Sequence, residues 1–270
     1  IQLYNSVELN LIRLACEKAG ILLAIVPYTF RHAELESVLK QVEAKGAFIP
    51  YEFRGFHYFE MFEEIRPRVQ ALKYLFVIGD RVPDTAISVQ KMMEKAKLTH
   101  DDTFEKFKFG PFEFEEIMTT SGTTGAPKCV EWTGCARLAQ ARQYIKKLNL
   151  TRYDVIAAFS PSTGAATESL VYRCPPQVAA KTIMMERFTP EEACQWIERE
   201  RITVAGIVPT MIVRLLEYPG LQEHDLRSLR ILVSTASLLP YQVAKEAEEK
   251  LGCAICQGYG SVDSLSLIHI

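Results

Sequence analysis

Short apolar runs rich in β-branched and aromatic residues alternate with amphipathic helical segments along most of this sequence. Runs of this length and composition are typical of buried strands. Strands are predicted at residues 74–79, 114–120, 154–159, 202–208, 229–233 and 253–257. Helical patterns separate most of them, and strands joined through helices pair in parallel. The alternation therefore predicts an α/β fold with a largely parallel sheet.

Local signals mark the ends of several helices. Residues 189–192 read Thr-Pro-Glu-Glu, a capping box with proline at the first helical position. Pro240 is predicted to open a helix that Gly252 closes, and Asp84 to cap a helix that ends at about Lys97. In the first half, four apolar residues share one helical face, and a glycine follows as the stop signal. They are Leu35, Val38, Leu39 and Val42, followed by Gly46.

Composition excludes several classes of protein. The 270 residues carry 31 basic and 33 acidic side chains, and no basic stripe marks a surface for nucleic acid. No apolar run approaches the roughly 20 residues that a membrane-spanning helix needs, so no integral membrane segment is expected. The seven cysteines form no secreted disulfide pattern, which favours a reducing, cytoplasmic location.

The cysteine and histidine positions do not predict a metal centre. Cys253 and Cys256 form a CxxC, but no second pair or nearby histidine completes a zinc set. Positions i and i+3 of an extended chain also point to opposite faces, so two buried thiols are the preferred interpretation. Four histidines lack converging partners and are interpreted as surface or satisfied side chains. They are His32, His57, His100 and His224.

The most informative stretch is residues 119–128, which read Thr-Thr-Ser-Gly-Thr-Thr-Gly-Ala-Pro-Lys after a predicted strand. Glycines let backbone N–H groups approach a phosphate closely, hydroxyls add donors, and lysine adds a mobile positive charge. The end of a strand is also where α/β proteins bind ligands. The alternative is a polar surface turn, but this order of residues favours a triphosphate site. Lys128 does not fit Walker spacing, which disfavours an ordinary P-loop kinase.

This loop resembles the phosphate-loop signature of the acyl-adenylate-forming superfamily, which includes acyl-CoA synthetases, aryl-CoA ligases, luciferases and peptide-synthetase adenylation domains. Residues 18–39, 186–219, 225–240 and 257–263 are similar to further segments of that family. The resemblance implies mixed, largely parallel sheets flanked by helices in a layered αβαβα arrangement. It also implies part of a large N-terminal domain, with a first subdomain at 1–112 and a phosphate-loop and adenosine-site part at 113–264.

In that family the loop binds the β- and γ-phosphates of ATP. The matching residues here are Thr120, Ser121, Gly122, Thr123, Thr124, Gly125 and Lys128. The resemblance gives catalytic roles to Lys128 and Thr123. Cys129 replaces the usual glycine after the lysine, outside the residues that contact phosphate.

Two later segments are similar to the family's adenosine site. The first reads roughly Ser-Gly-Gly-Ala-Pro or Gly-Ala-Ala-Pro in relatives, and a helix-entry loop of small polar residues is its alternative interpretation. Here it supplies Thr235, Ala236 and Ser237, between Ser234 and Leu238. The second resembles Gln-Gly-Tyr-Gly-x-Thr-Glu, with the tyrosine stacked on adenine. It supplies Gln257, Gly258, Tyr259, Gly260, Ser261 and Val262.

Two residues in the second segment depart from the family pattern. Val262 replaces a threonine whose hydroxyl reaches the α-phosphate, so one hydrogen bond is expected to be missing. Asp263 replaces the glutamate that binds Mg²⁺ and is shorter by one methylene. It keeps a hard oxygen donor, so the resemblance still implies Asp263 as the metal ligand.

The segment expected to line the acid pocket carries neither of two features found in relatives. Ser162, Thr163, Gly164 and Ala165 are the candidate pocket residues. Many acyl-CoA synthetases have an aromatic–histidine pair nearby, and amino-acid-activating relatives have an aspartate for the α-amino group. This segment has no such pair, and no carboxylate precedes Glu168. A non-amino carboxylic acid, aliphatic or aromatic, is therefore favoured.

The implied reaction is attack of a carboxylate on the α-phosphate of ATP, with Mg²⁺ as cofactor and CoA as the expected second substrate. Such a reaction depends mainly on the positioning of the reactants and on charge neutralisation. The sequence contains no group of side chains that would form an activated nucleophile. Two alternatives remain open: an adenylation enzyme that loads a carrier protein, and a non-catalytic nucleotide-binding module. The departures at Val262 and Asp263 suggest the non-catalytic module.

The ends of the sequence also carry expectations. Relatives continue with a Thr-Gly-Asp segment, a hinge and a small C-terminal domain bearing a catalytic lysine, so this chain is expected to be a fragment with little activity alone. It begins with Ile1 rather than methionine. Residues 265–270 leave the family pattern abruptly, and their codons can spell a transposase end sequence. They are therefore expected to be a non-native tail.

Overall fold

The computed structural model describes residues 1–96, 106–120, 125–262 and, by backbone alone, 267–269. Two compact units are present, Ile1–Gly134 and Cys135–Ile270. Strand Phe114–Thr119 pairs in parallel with Leu23–Ile25 inside the first unit. The subdomain bounds at 1–112 and 113–264 stay predictions.

The first unit contains four α-helices and eight strands among its described residues. The helices are α1 (Val7–Lys18), α2 (His32–Gln41), α3 (Tyr58–Ile65) and α4 (Val89–Lys95). The strands are β1 (Leu23–Ile25), β2 (Gly46–Pro50), β3 (Glu52–Phe53), β4 (Phe56–His57), β5 (Tyr74–Ile78), β6 (Ile87–Ser88), β7 (Phe114–Thr119) and β8 (Cys129–Thr133). They form the sheets β1-β7-β8 and β2-β5-β6 and the hairpin β3-β4.

Apolar faces explain the packing of this unit. The backbone differs from the prediction at the end of α2 and at the start of α4. Leu35, Val38 and Leu39 of α2 are buried, as predicted. The helix already ends at Gln41, because Glu43 adopts φ 48°. Gly46, the predicted stop signal, is instead the first residue of β2. The side chain of Ser88, not of Asp84, caps α4, because residues 87–88 first pair with β5.

The second unit is built on one six-stranded sheet of order β10-β9-β11-β12-β13-β14. The strands are β9 (Val155–Ala158), β10 (Lys181–Met184), β11 (Val204–Ile207), β12 (Ile231–Ser234), β13 (Ala254–Gly260) and β14 (Leu267–His269). All neighbours pair in parallel except β13 and β14. The prediction of mixed, largely parallel sheets flanked by helices is confirmed.

Helices cover both faces of this sheet. They are α5 (Gly134–Lys147), α6 (Ala165–Glu168), α7 (Cys174–Val178), α8 (Pro190–Glu200), α9 (Pro209–Leu216) and α10 (Tyr241–Leu251), with a π-helical turn at Ser169–Arg173. The predicted cap of α8 is present, since the Thr189 side chain accepts from Glu192 N–H. Pro240 and Gly252 bound α10, where Gly252 adopts the left-handed conformation. No helix in the described ranges is long and apolar enough to cross a bilayer.

Candidate functional site

The predicted phosphate loop joins the antiparallel strands β7 and β8 of the first unit. Two hydrogen bonds close its base. The backbone N–H of Thr120 donates to the Lys128 carbonyl at 3.0 Å, and the Lys128 N–H donates to Thr120 Oγ1 at 2.9 Å. Behind the loop, the Gln41 side chain at the end of α2 donates to the Pro127 carbonyl at 3.1 Å. The loop thus leaves the sheet from a fixed base.

The described part of the loop presents polar groups to solvent. Lys128 is exposed, and among the described residues no carboxylate lies within ion-pairing distance of its ammonium group. A Cβ added at Gly125 would meet no atom of the described residues within 4 Å. The described surroundings therefore do not require glycine at this position. Ser121, Gly122, Thr123 and Thr124 lie outside the described residues, so their predicted roles stay predictions.

The candidate adenosine and acid-pocket residues of the second unit meet at one edge of its sheet. Strands β9, β11, β12 and β13 run in parallel, so the segments after them leave from the same, carboxyl edge. Residues 159–164 follow β9 and residues 235–239 follow β12, while residues 258–262 comprise the end of β13 and the two residues after it. The carboxyl edge of an open parallel sheet is the usual ligand site in such folds. The structure therefore places the candidate acid-pocket residues and the candidate adenosine residues, which are far apart in sequence, at the same edge of the sheet.

The loop after β12 has an unusual backbone. Ala236 adopts φ 76°, in the left-handed region that residues with a Cβ rarely occupy. Thr235 is buried, and its N–H donates to the Ile207 carbonyl at 3.3 Å. Ser237 and Leu238 are exposed. The small residues predicted from sequence thus form a loop held against the neighbouring strand β11.

Gln257 on β13 reaches this loop. Its Nε2 donates to the Ser237 carbonyl at 3.1 Å and to the Gly258 carbonyl at 3.2 Å. In the described part of the chain its Oε1 atom is buried without a hydrogen-bond partner. Ser234, which pairs with Gln257 in the β12–β13 register, is fully buried and its Oγ likewise lacks a partner within the described ranges.

The rest of the second adenosine segment lies partly at the surface. Gly258 is buried, whereas Tyr259 is 63% exposed and Gly260 and Ser261 are exposed. Val262 is half-buried. An exposed aromatic ring at the end of a central strand is available for stacking. Asp263, the predicted metal ligand, lies outside the described residues.

The candidate acid-pocket segment is tightly packed. Ser162 and Thr163 are buried, Gly164 is exposed and Ala165 is half-buried at the start of α6. Just before them, Ser160 Oγ lies 2.7 Å from Thr167 Oγ1. The hydroxyl groups therefore connect the end of β9 to α6 and fix the path of the segment between them.

A buried ionic cluster, which sequence reasoning missed, lies directly after this segment. The Glu168 carboxylate pairs with Arg137 of α5 and, at 3.1 Å, with Nε of Arg173. Arg137 also donates to Gln140 Oε1 at 2.7 Å and Ser169 Oγ at 3.1 Å. The available signal in the sequence was the spacing of five residues between Glu168 and Arg173. In an α-helix, with 3.6 residues per turn, two side chains at this spacing do not face each other. The π-helical turn brings them together.

A second polar cluster occupies the opposite, amino edge of the same sheet. The buried Asp154 carboxylate accepts from Arg230 Nε at 2.8 Å, Thr203 Oγ1 at 2.7 Å and Thr151 N–H at 2.8 Å. Burial alone would raise the pKa of Asp154, but these hydrogen bonds outweigh it and hold the pKa below its usual value. Its carboxylate is fully engaged in structure, so it is no candidate for catalysis.

The remaining titratable groups among the described residues do not form a reactive site. His32, His57 and His224 each pair with a surface glutamate, and His100 lies outside the described residues. Cys253 and Cys256 contribute to hydrophobic clusters on opposite faces of the sheet. Burial raises the pKa of the Cys253 thiol to about 12. No group of three potential metal-binding side chains occurs within the described ranges.

Comparison with known proteins agrees with this geometry. The AMP-binding enzyme family matches residues 1–269. The medium-chain fatty-acid–CoA ligase of Escherichia coli (strain K12) is 29% identical over 272 residues, covering 97% of this chain and 46% of the relative. The 2-hydroxy-7-methoxy-5-methyl-1-naphthoate–CoA ligase of Streptomyces carzinostaticus is 26% identical, covering 98% and 49%.

Solved structures show the same fold. An anthranilate CoA ligase in complex with anthranoyl-AMP superposes with a TM-score of 0.90 at 20% identity, covering 98% of this chain and 50% of that protein. A long-chain-fatty-acid–CoA ligase from Archaeoglobus fulgidus gives a TM-score of 0.84 at 19% identity, covering 99% and 52%. This chain spans about half the length of the curated relatives it matches.

Proposed function

Because this chain belongs to the AMP-binding enzyme family, we propose that the complete gene product uses ATP to convert a carboxylic acid to its acyl-AMP and then to a CoA thioester. The observation that carries the proposal is the loop between β7 and β8. Its base is closed by the Thr120–Lys128 hydrogen bonds, and within the described residues the Lys128 ammonium group has no carboxylate partner. An exposed cation at the end of a loop that contains Gly125 suits a triphosphate.

The proposed chemistry needs no side-chain nucleophile. A carboxylate oxygen of the acid attacks the α-phosphorus of ATP, the bond from that phosphorus to the bridging oxygen breaks, and pyrophosphate leaves with the electron pair. Lys128, together with Thr123, binds the departing phosphates and disperses the charge that develops on them. In the second step the CoA sulfur attacks the acyl carbon and AMP leaves.

Adenosine recognition is assigned to the carboxyl edge of the second unit. We propose that the exposed ring of Tyr259 stacks on adenine. The loop of Thr235, Ala236 and Ser237 provides small residues beside the base. Gly258, Gly260, Ser261 and Val262 complete the proposed contacts. Valine at 262 offers no hydroxyl to the α-phosphate.

The proposed acid carries no α-amino group. Glu168 is the first carboxylate in the pocket segment, and both of its oxygens are engaged by buried arginines. It is therefore not available to pair with an ammonium group of a substrate. An aliphatic or aromatic carboxylic acid that contacts Ser162, Thr163, Gly164 and Ala165 is the proposed substrate class.

We assign the Mg²⁺ role to Asp263. Among the described residues no cluster of three ligands could hold a metal alone. Magnesium commonly binds through one or two carboxylates plus substrate phosphates, so a single aspartate fits this chemistry. The metal would neutralise phosphate charge. Seven unpaired thiols support the proposed cytoplasmic location.

ATP–pyrophosphate exchange by the complete gene product, measured over a panel of acids, tests the proposal. Fatty and aromatic acids should support exchange, and Lys128→Ala should lower it by about 10²–10³-fold, as for removal of other charge-stabilising donors. Lys91→Ala, an exposed lysine on α4, is the matched control and should exchange like the wild type.

The outcomes separate the competing functions. Exchange without CoA thioester would favour an enzyme that loads a carrier protein. Nucleotide binding without exchange for any acid would favour a non-catalytic module. Strong exchange with amino acids alone would contradict the proposed substrate class, and wild-type rates in Lys128→Ala would contradict the proposed role of the loop.

A further inference from the structure

The loop after β12 contains a backbone conformation that its own residues do not favour. Ala236 has φ 76°, where the alanine Cβ is crowded by its own backbone. Ala236 is exposed, so the packing of its side chain does not impose this angle. Conformations of this kind persist only when surrounding contacts hold them, and they are common at ligand sites.

Contacts on both sides of Ala236 hold the loop. On one side, the Thr235 N–H donates to the carbonyl of Ile207 on β11 at 3.3 Å. On the other, the Ser237 carbonyl accepts from Gln257 Nε2 at 3.1 Å. The first contact comes from the backbone and is independent of sequence. The second depends on one side chain.

The amide group of Gln257 suits this contact better than similar side chains. Its Nε2 has two hydrogens, and the two carbonyls that it reaches belong to different segments, Ser237 after β12 and Gly258 within β13. A carboxylate would face both carbonyl oxygens with negative charge, and leucine would offer no donor. Gln257 therefore connects the two adenosine segments through hydrogen bonds that only a donor can make.

We propose that Gln257 is a positioning residue that holds Ala236 in its left-handed conformation and so keeps the loop at 235–237 ready for the nucleotide. This inference rests on the proposed function for the identity of the ligand, ATP. It differs from the resemblance, which places Gln257 among the residues that bind nucleotide. Here Gln257 acts through the loop, because its donors are already engaged by the Ser237 and Gly258 carbonyls.

A double-mutant cycle tests this role, with ATP binding measured by calorimetry on the complete gene product. Gln257→Leu should raise the Kd of ATP about tenfold, because the loss of hydrogen bonds lets the loop relax. The Kd measured for Ala236→Gly alone is the reference for the second arm of the cycle. In the Gln257→Leu background, Ala236→Gly should recover about threefold, because glycine adopts positive φ without a steric penalty.

Two further readouts distinguish positioning from general damage. The KM of the acid should change by less than about twofold in Gln257→Leu, whereas the KM of ATP rises with its Kd. Gln177→Leu is the matched control, since Gln177 is also a glutamine that donates to a backbone carbonyl, that of Arg173 at 2.9 Å, but lies on α7. It should leave ATP binding unchanged.

Hydrogen exchange measured without ligand makes the test independent of activity. Amides of residues 235–239 should exchange faster in Gln257→Leu than in the wild type. Unchanged exchange would overturn the inference, as would a Kd loss that Ala236→Gly does not reduce, since that result would mean direct contact of Gln257 with the nucleotide. If the loop responds as expected but no acid supports pyrophosphate exchange, the proposed function fails and the positioning role stands.

Discussion

The two edges of the six-stranded sheet in the second unit differ in whether all of their buried polar groups have hydrogen-bond partners. At the amino edge, the Asp154 carboxylate is buried and accepts hydrogen bonds from Arg230, Thr203 and Thr151. At the carboxyl edge, the buried atoms Ser234 Oγ and Gln257 Oε1 have no hydrogen-bond partner within the described residues. The carboxyl edge also contains the strained Ala236 and the exposed side chains Leu238 and Tyr259.

This difference distinguishes polar groups that stabilise the fold from groups that are present although they lower its stability. A buried polar atom without a partner costs free energy, and so does a non-glycine residue at positive φ. Natural proteins accept such costs mainly at functional sites. Positive φ alone does not separate the edges, since Ala179 and Arg201, before β10 and β11 at the amino edge, also adopt φ 56°. We therefore expect the Asp154 cluster at the amino edge to contribute to folding alone, whereas the carboxyl edge carries the proposed nucleotide and acid sites.

The largest effect on stability is expected from Asp154→Asn. The substitution leaves Arg230 facing a neutral amide and removes one of the acceptor oxygens. Removing one partner of a buried ion pair costs about 3–5 kcal/mol, and because the Arg230 side chain is 35% exposed we expect about 2–3 kcal/mol here. Urea unfolding measures the loss. ATP affinity of the folded protein should be unchanged.

Glu246→Gln is the control for this substitution. Its carboxylate pairs with Lys250 on the exposed face of α10, and such pairs contribute at most about 0.5 kcal/mol. An Asp154→Asn protein of normal stability but weakened ATP binding would break the comparison, because the amino edge would then serve function.

Acid should remove the contribution of the Asp154 carboxylate to stability. Since the pKa of Asp154 is lower in the folded protein than in the unfolded chain, its contribution is fully present above the unfolded pKa of about 4. It is lost as the pH falls through the folded pKa. The difference in unfolding free energy between the wild type and Asp154→Asn should therefore be constant above about pH 5 and shrink below about pH 4. A difference that stays constant to low pH would mean that the carboxylate is not the stabilising group.

Elements with strong local signals could be predicted from the sequence. Strands β9, β11 and β12 are short, mostly apolar runs, because helices cover both faces of the sheet. The cap of α8 and the ends of α10 follow from Thr189, Pro240 and Gly252. In contrast, β10 was missed, because it is an edge strand that begins with Lys181. The segment 165–178 was also missed, since its short helices and π-turn have no regular period.

The sequence predicts the candidate site as a set of residues but not as an arrangement. Its signature residues resemble those of a family, and their positions after strands imply a shared edge. The left-handed Ala236 was not predictable, because alanine normally avoids this conformation and a hydrogen bond from Gln257, distant in sequence, holds the adjacent residue. The pairing of Glu168 with Arg137 likewise depends on tertiary contacts that no local pattern contains.

The smallest predicted effect concerns the carboxyl edge, where removal of a polar group should stabilise the protein. Ser234→Ala deletes a fully buried hydroxyl that, within the described part of the chain, has no hydrogen-bond partner. Because an unpaired buried polar group costs about 1–3 kcal/mol and the deletion leaves a small cavity, a net gain of about 1 kcal/mol in unfolding free energy is expected.

Urea unfolding measures this gain in stability, with Ser228→Ala as the control. Ser228 Oγ donates to the Ile197 carbonyl at 3.4 Å, so its loss should not stabilise. A Ser234→Ala protein less stable than the wild type would show that the hydroxyl is satisfied in solution, and the proposed difference between the two edges in buried polar groups would then be wrong. A more stable variant with slower pyrophosphate exchange would show that the hydroxyl is retained for the ligand at a cost to the fold.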